Sequence, residues 1–142
     1  MNKTTRYIVL LFFSLTILSC ENVFHNDRLD FMWRLDSVEF VDGKDFEGNS
    51  CDIVYTSGVR FSFARDLLEV ESDKRYLRTF GVLTDNGNCL SFDFSMCVET
   101  NIDDELRLIG IGSRKTVFEV TLLDGNNLIL TGDKTILRFT RW

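Results

Sequence analysis

Residues 85–96, which read DNGNCLSFDFSM, carry the clearest signal for the fold. The first part of this stretch contains Asn86-Gly87, a pair that tolerates the positive φ angles of a tight hairpin turn. The second part alternates between small or acidic residues and a set of large apolar ones, namely Leu90, Phe92, Phe94 and Met96. Because successive side chains of a strand point to opposite faces, this alternation predicts a strand with one buried face and one wet face.

Similar turns and alternating stretches continue on both sides of this hairpin. Turns are predicted at residues 42–45, 124–127 and 131–134, where glycine stands beside Asp, Asn or Thr. Together with residues 90–96, strands are predicted over 33–41, 59–63, 76–84, 106–108, 116–123, 128–130 and 135–142. Val41 is assigned to the inward face of the first strand, with Trp33 and Leu35. No stretch gives a convincing amphipathic helix.

About eight short strands with short connections predict an all-β domain over residues 31–142, an antiparallel up-and-down meander. Closing the meander into a barrel removes the sheet edges that otherwise invite aggregation. Seven aromatic side chains are predicted to point inward and are the candidate ligand-binding residues: Trp33, Phe61, Phe63, Phe92, Phe94, Phe118 and Phe139. An eight-stranded barrel is either filled by side chains or holds one small ligand, and so many rings favour filling.

The composition limits the classes of partner. The chain has 142 residues, of which 44% are hydrophobic, so one domain with one core is expected. Its 22 acidic residues outnumber 16 basic ones, for a net charge of −6 that argues against nucleic acid binding. The densest basic stretch, residues 73–78, is explained equally well as one face of a strand.

The first twenty residues predict export and lipid attachment. Lys3 and Arg6 precede an apolar run over residues 7–18, which is the layout of a secretory signal and is too short for a spanning helix. The run ends in ILSC at residues 17–20, which resembles the lipobox of bacterial lipoproteins. Residues 1–19 are therefore predicted as the signal peptide, Cys20 as the acylated residue that anchors the protein to the membrane, and residues 20–30 as a tether. Since Glu21 is the only acid directly after the cysteine, we expect an outer-membrane protein that faces the periplasm.

The chain resembles the small lipocalin-like lipoproteins found in the envelopes of Bacteroides-type bacteria. The resemblance rests on the lipobox, on WRL at residues 33–35, and on the closing segments 118–123, 127–130 and 137–142. It implies a lipocalin-like barrel and, as in known lipocalins, a small apolar molecule in the barrel mouth, although many members of this group have no known ligand. Known lipocalins carry Gly-x-Trp in the first strand, where this chain has Phe31-Met32-Trp33.

Residues suited to catalysis or metal binding are few. The only histidine, His25, lies in the tether, and the acidic group at residues 101–105 lacks the spacing of a calcium loop, so a solvated loop is expected there. Asp93 paired with Glu69 or Glu119 suggests a glycosidase pair, but each sits where an outward side chain is expected. We therefore predict no enzyme activity, no metal and no cofactor.

The remaining cysteines leave the disulfide pattern open. Cys89 and Cys97 would lie about 26 Å apart in one continuous strand, beyond the roughly 7 Å limit for bridged α-carbons. A bond from Cys51 to either of them stays open, as do three free thiols.

Two hypotheses follow for the function. In the first, a lipid-anchored lipocalin-like domain binds a small apolar or amphipathic ligand through its inward aromatic side chains. In the second, the barrel is solid and serves as a structural or protein-interaction module of the envelope.

Overall fold

The computed structural model describes residues 28–74 and 77–142. The predicted signal peptide, Cys20 and His25 lie outside these residues. The described residues form nine strands and one helix. In chain order these are β1 Met32–Phe40, β2 Ile53–Tyr55, β3 Val59–Ala64, β4 Leu67–Ser72, β5 Leu77–Asp85, β6 Cys89–Asp93, α1 Ile102–Leu108, β7 Lys115–Leu123, β8 Asn127–Thr131 and β9 Thr135–Arg141.

The sheet closes because its first strand pairs with its last. Each strand from β3 to β9 pairs with the next in antiparallel register, and β1 pairs with both β3 and β9. The short strand β2 pairs with the second half of β1, while β3 pairs with the first half. Strands β2 and β3 therefore share one position in the wall, and the barrel has eight positions. The predicted all-β, up-and-down antiparallel barrel is confirmed.

The hairpin with the clearest sequence signal forms as predicted. Strand β5 ends at Asp85 and β6 begins at Cys89. Between them, the Asn86 side-chain oxygen accepts hydrogen bonds from the backbone N–H groups of Asn88 (3.2 Å) and Cys89 (2.8 Å). Gly87 adopts a φ of 96°, which a side chain would disfavour. The turn is therefore specified locally. The side-chain amide of Asn86 accepts the backbone hydrogen bonds, and Gly87 tolerates the positive φ.

The alternation predicts that Met96 points inward with Leu90, Phe92 and Phe94, and for Met96 this prediction is wrong. Leu90, Phe92 and Phe94 are buried as predicted, whereas Met96 is 86% exposed. Strand β6 ends at Asp93, and the N–H of Cys97 then donates to the carbonyl oxygen of Phe94 in a turn. Because the strand stops before Met96, its two-residue period no longer governs the direction of that side chain.

A bulge in β1 explains why Val41 is not inward. The register of β1 against β9 shifts between Leu35 and Ser37. An extra residue in one strand reverses which side chains face the core, so Val38 and Phe40 are buried beyond the bulge. Val41 is 57% exposed in the turn that follows.

Strand β4 was not predicted. Its buried residues are Leu68, Val70 and Ser72. Because Ser72 is polar, only two of the three inward positions carry the apolar residues that an alternation pattern detects. It follows a connection through Arg65 and Asp66 that contains no glycine, proline or asparagine, yet Arg65 holds a φ of 57°. The sequence carried little local signal for either the turn or the strand.

The predicted strand at residues 106–108 is instead part of helix α1. Its buried residues Ile102 and Leu106 are four apart, and Leu108, assigned to the same strand face as Leu106, is 48% exposed. Three acidic residues occupy the first turn, where they favour the positive end of the helix dipole. The acidic group at residues 101–105 is therefore the start of a helix and not the expected loop.

The helix ends in a Schellman motif that fixes it across one end of the barrel. The N–H of Gly110 donates to the carbonyl of Arg107 (3.1 Å) and that of Ile111 donates to the carbonyl of Leu106 (2.9 Å). Gly110 holds a φ of 86° and its carbonyl accepts a 2.7 Å hydrogen bond from the hydroxyl of Thr135. These contacts, with the burial of Ile109 and Ile111, join the helix to the start of β9.

A salt bridge holds the same helix to the segment before β7. The guanidinium of Arg114 lies 2.9 Å from the carboxylate of Asp103 and donates a second bond to the carbonyl of Cys97. This hydrogen-bonded charge lowers the pKa of Asp103 below its ordinary value. Asp103 therefore stays ionised, and the salt bridge stays formed, at pH values low enough to protonate an unpaired aspartate.

We expect Gly110→Ala to destabilise the fold by about 3 kcal/mol. The added Cβ would lie 2.5 Å from a Leu137 methyl carbon and 2.7 Å from one of Val38, at a backbone conformation that alanine disfavours. Gly125→Ala is the matched control, because a Cβ added there would have no atom within 4 Å other than those of its chain neighbours. Chemical denaturation measures both. Equal stability of the two variants would contradict this role of Gly110.

Candidate functional site

The seven predicted inward aromatic side chains all lie in the hydrophobic core. None is more than 3% exposed: Trp33, Phe61, Phe63, Phe92, Phe94, Phe118 and Phe139. They come from strands β1, β3, β6, β7 and β9 and from the residue just after β6. The barrel therefore brings all seven into one interior.

The phenylalanine rings contact one another across this interior. The ring of Phe92 is central, with centroids 5.2 Å from Phe118, 6.1 Å from Phe63, 6.3 Å from Phe61 and 6.5 Å from Phe94. Rings at such distances, in tilted or edge arrangements, are in van der Waals contact. Side chains thus occupy the space that a ligand would need at this level of the barrel. A ligand-binding role for the seven residues stays a prediction.

The end of the barrel where the chain enters is also occupied by side chains. Leu29, just before β1, is fully buried, and its carbonyl accepts a 3.3 Å hydrogen bond from the indole N–H of Trp33. Arg28 forms a two-point contact with the carboxylate of Asp85 in the β5–β6 hairpin, at 2.7 and 3.1 Å. This segment is held across the chain-entry end by one apolar and one ionic contact.

A cleft opens in the barrel wall beside the β7–β8 pairing, and we name it the wall cleft. Strand β8 pairs with β7 only from Glu119 to Leu123, so the first half of β7 runs apart from the β8–β9 turn. The wall cleft has a volume of about 620 Å³. It is lined by residues 115–119 on one side and 131–135 on the other, with Phe46, Gly110, Gly112 and Ser113 towards the helix and Cys89 from β6.

Glycines bring backbone against aromatic rings at two points of this lining. A Cβ on Gly112 would lie 2.6 Å from the ring of Phe46, and one on Gly132 would lie 2.9 Å from the ring of Phe118. Phe118 is the one predicted aromatic residue of the seven that lines the wall cleft. Phe46 was not predicted, because it lies in an irregular loop that only the fold brings to the helix.

The lining of the wall cleft carries two lysines, Lys115 and Lys134, and two carboxylates, Glu119 and Asp133, so its formal charges balance. The ammonium of Lys115 lies 3.8 Å from the Asp93 carboxylate, and that of Lys134 lies 3.8 Å from Asp42. Hydrogen bonds from Ser95, with a smaller effect of Lys115, lower the pKa of Asp93. Both ion pairs are long and half-exposed, so neither lysine is held tightly.

A second groove of about 400 Å³ lies between the 40–54 segment and α1. Its apolar lining includes Phe40, Phe46, Val54 and Leu108. Carboxylates from Asp45, Glu47 and Asp104 surround it, together with Arg107. An acidic rim makes this groove a poorer site for an anionic head group than the wall cleft.

The carboxylates considered for catalysis lie on the outside of the barrel. Glu69 is bound by Arg78 at 2.6 Å, Asp93 faces Lys115, and Glu119 is exposed on β7. Among the residues that the structure describes, no group of three His, Cys, Asp or Glu side chains is arranged to hold a metal ion.

The three cysteines of the described segments are free thiols. The disulfide that the sequence left open from Cys51 to Cys89 or Cys97 is not formed in this structure. Strand β6 ends at Asp93, so Cys89 and Cys97 do not share the continuous strand that the distance argument assumed. The Cys97 thiol lies 2.9 Å from the hydroxyl of Thr79 and 3.1 Å from the carbonyl of Phe80.

A closed eight-stranded antiparallel barrel with one short helix defines the lipocalin-like class of fold. The sequence pattern of the lipocalin-like domain family matches residues 13–142. The chain belongs to this family, which confirms the resemblance drawn from the sequence. Lipocalin-like folds are generally non-enzymatic. No curated protein matches the sequence.

Two solved structures share the fold. An uncharacterized protein from Bacteroides eggerthii is 13% identical, with a TM-score of 0.60 over 80% of this chain and 99% of its own. A lipocalin-like protein from Bacteroides uniformis is 18% identical, with a TM-score of 0.58 over 81% of this chain and 99% of its own. At these identities the likeness extends to the fold alone.

Within residues 28–74 and 77–142, no helix has the length and apolar character needed to span a bilayer.

We expect Phe92→Ala to cost about 3–5 kcal/mol of stability, because its ring is buried among four others. Phe80→Ala removes the same atoms from a side chain that is 45% exposed and should cost less than about 1 kcal/mol. Thermal or chemical denaturation of both variants makes the comparison. A loss below about 1 kcal/mol for Phe92→Ala would show that its surroundings are not tightly packed.

Proposed function

We propose that this chain is a lipid-anchored lipoprotein of the bacterial envelope whose lipocalin-like domain binds a small amphipathic ligand in the wall cleft. The observation that carries the binding proposal is the wall cleft itself, whose volume of about 620 Å³ falls in the range of small-molecule sites. Its aromatic and glycine lining suits an apolar chain, and Lys115 and Lys134, which share the lining with Glu119 and Asp133, can pair with an anionic group of the ligand. We propose no catalytic role.

The packed interior moves the binding site away from the barrel axis. The phenylalanine rings pack against one another inside the barrel. A ligand in the interior would therefore have to displace core side chains and lose the packing energy that they supply. The wall cleft requires no such displacement. Of the candidate residues from the sequence, Phe118 is the one that borders the wall cleft, where its buried ring lies beneath the surface that the ligand would contact.

A second candidate function is that of a structural or protein-interaction module. The observation that favours it is the same packing of Phe61, Phe92 and Phe139 behind a closed wall. The two functions differ in what they require of the wall cleft, because the module needs no small molecule there.

Binding of a fluorescent fatty acid to residues 21–142, with displacement by unlabelled lipid, separates these functions. We expect saturation and a rise in melting temperature, since a ligand that binds only the folded state stabilises it. Lys115→Gln with Lys134→Gln should weaken binding about tenfold, or ~1.4 kcal/mol. Lys44→Gln with Lys74→Gln removes the same charge elsewhere and should leave affinity unchanged. Absence of any thermal shift at saturating lipid would favour the module.

The proposed anchor rests on Cys20 and the residues before it. Acylation at this thiol, cleavage before it and acylation of the new amine give a stable attachment, because several acyl chains hold where one is marginal. We propose an outer-membrane location on the periplasmic face. The acidic run that directs some lipoproteins outward is weak, with Glu21 alone beside the cysteine.

Cys20→Ala should abolish incorporation of labelled fatty acid and leave an uncleaved precursor, because the thioether requires a thiol at that residue. Cys51→Ala, which removes a thiol from the barrel domain, is the control and should be labelled normally. Mass spectrometry of both proteins measures the outcome. Normal labelling of Cys20→Ala would refute the assignment.

A further inference from the structure

Strand β2 leaves one edge of the barrel wall without a neighbour in the described residues. It pairs with β1 over Ser37–Glu39, but the next strand along the wall does not continue beside it. Strand β4 pairs with β3 and its last partner is Val59, opposite Ser72. A gap of about 390 Å³ lies at this edge, lined in part by Lys74 and by Leu108 and Ile109 after the helix.

The hydrogen bonds to β1 show which backbone groups face the gap. Phe40 donates its N–H to the carbonyl of Asp52 (2.8 Å), and Thr56 donates its N–H to the carbonyl of Asp36 (3.0 Å). In an antiparallel pair the bonded residues alternate along the strand. Asp52, Val54 and Thr56 therefore bond towards β1, and the N–H and C=O groups of Ile53 and Tyr55 point to the open edge.

The side chains of β2 are unusual for an edge open to solvent. All three are apolar or aromatic, and Ile53 is 47%, Val54 38% and Tyr55 83% exposed. Edge strands of monomeric proteins normally carry charges, prolines or bulges that block pairing with another chain. The edge of β2 carries none of these within its three residues.

We propose that β2 pairs with β2 of a second copy of this chain, antiparallel, with Val54 on the two-fold axis. In that register Ile53 stands opposite Tyr55 of the second copy, and Tyr55 opposite Ile53 of the second copy. The two pairs bring together all four open N–H groups and all four open C=O groups. The wall of one barrel then continues into the wall of the other.

The charges flanking β2 are compatible with this register. The pairing places Asp52 opposite Thr56 of the second copy, so the only acidic residue beside the strand does not face its own counterpart. Like charges directly opposite would destabilise the pair. A second copy therefore satisfies the hydrogen bonding of this edge and places no like charges directly opposite each other. Because only three residues pair, the contact is smaller than a standard interface and the dimer is weak and concentration-dependent.

Cross-linking tests the register in the full chain purified in detergent, with Cys51→Ser, Cys89→Ser and Cys97→Ser as background. Val54→Cys should form a disulfide between copies on mild oxidation, because α-carbons of a non-hydrogen-bonded pair lie about 4.5 Å apart. Ile53→Cys is the matched control on the same strand. Its two copies would be diagonal neighbours about 7–8 Å apart, at or beyond the limit for a disulfide.

The expected result is at least about fivefold more covalent dimer from Val54→Cys than from Ile53→Cys, or ~1 kcal/mol in effective association. Equal or smaller yields from Val54→Cys would overturn the proposal. Ligand binding in the wall cleft involves neither residue, so the outcome is independent of the proposed function.

Charged substitutions at Ile53 and Tyr55, whose backbone groups face the open edge, provide the second test, in the Val54→Cys background. Ile53→Glu with Tyr55→Glu places like charges opposite each other at both pairs and should abolish cross-linking. Ile53→Glu with Tyr55→Lys places opposite charges there and should restore it. All these side chains are solvent-exposed in the single chain, and circular dichroism with melting curves checks that both variants fold. Failure of the second pair to restore cross-linking in folded protein would refute the register.

Discussion

The antiparallel pairing of β1 with β9 underlies the whole architecture. It runs from Trp33 to Phe40 on one strand and converts an open meander into a closed wall. Closure gives every strand except β2 two neighbours and directs one face of the wall into a single shared interior. Hydrogen bonding and burial of apolar side chains are thus satisfied by the same geometry.

The shared interior then determines where a function can reside. Because large aromatic side chains from five strands meet there, packing takes up the volume that a wider or less aromatic barrel would leave for a ligand. Membership of the lipocalin-like family therefore accounts for the closed wall of this barrel, whereas its interior is filled by the chain's own aromatic side chains. Two of the concave surfaces formed by the described residues lie where the strand pairing is incomplete, beside the start of β7 and beside β2.

Helix α1 links these two places. Its C-terminal motif at Gly110 fixes it against the start of β9, and residues just after it reach the wall cleft. Leu108, near the same end, lines the gap beside β2. A short helix, specified by a few local signals, thus borders both the proposed ligand site and the proposed contact between copies.

Local sequence signals were sufficient to predict the all-β class, the Asn86-Gly87 hairpin and the inward faces of β3 and β6, because turn chemistry and two-residue alternation are local properties. The sequence contained signals for α1 as well, in three acids followed by Gly110, but the apolar residues were read with the wrong period. The other features of the fold follow from contacts between strands that are distant in the chain. The bulge that turns Val41 outward, the strand β4 with its buried Ser72 and the wall cleft all depend on which strands become neighbours. Neighbours far apart in the chain leave no local pattern, since their pairing is selected by closure and packing.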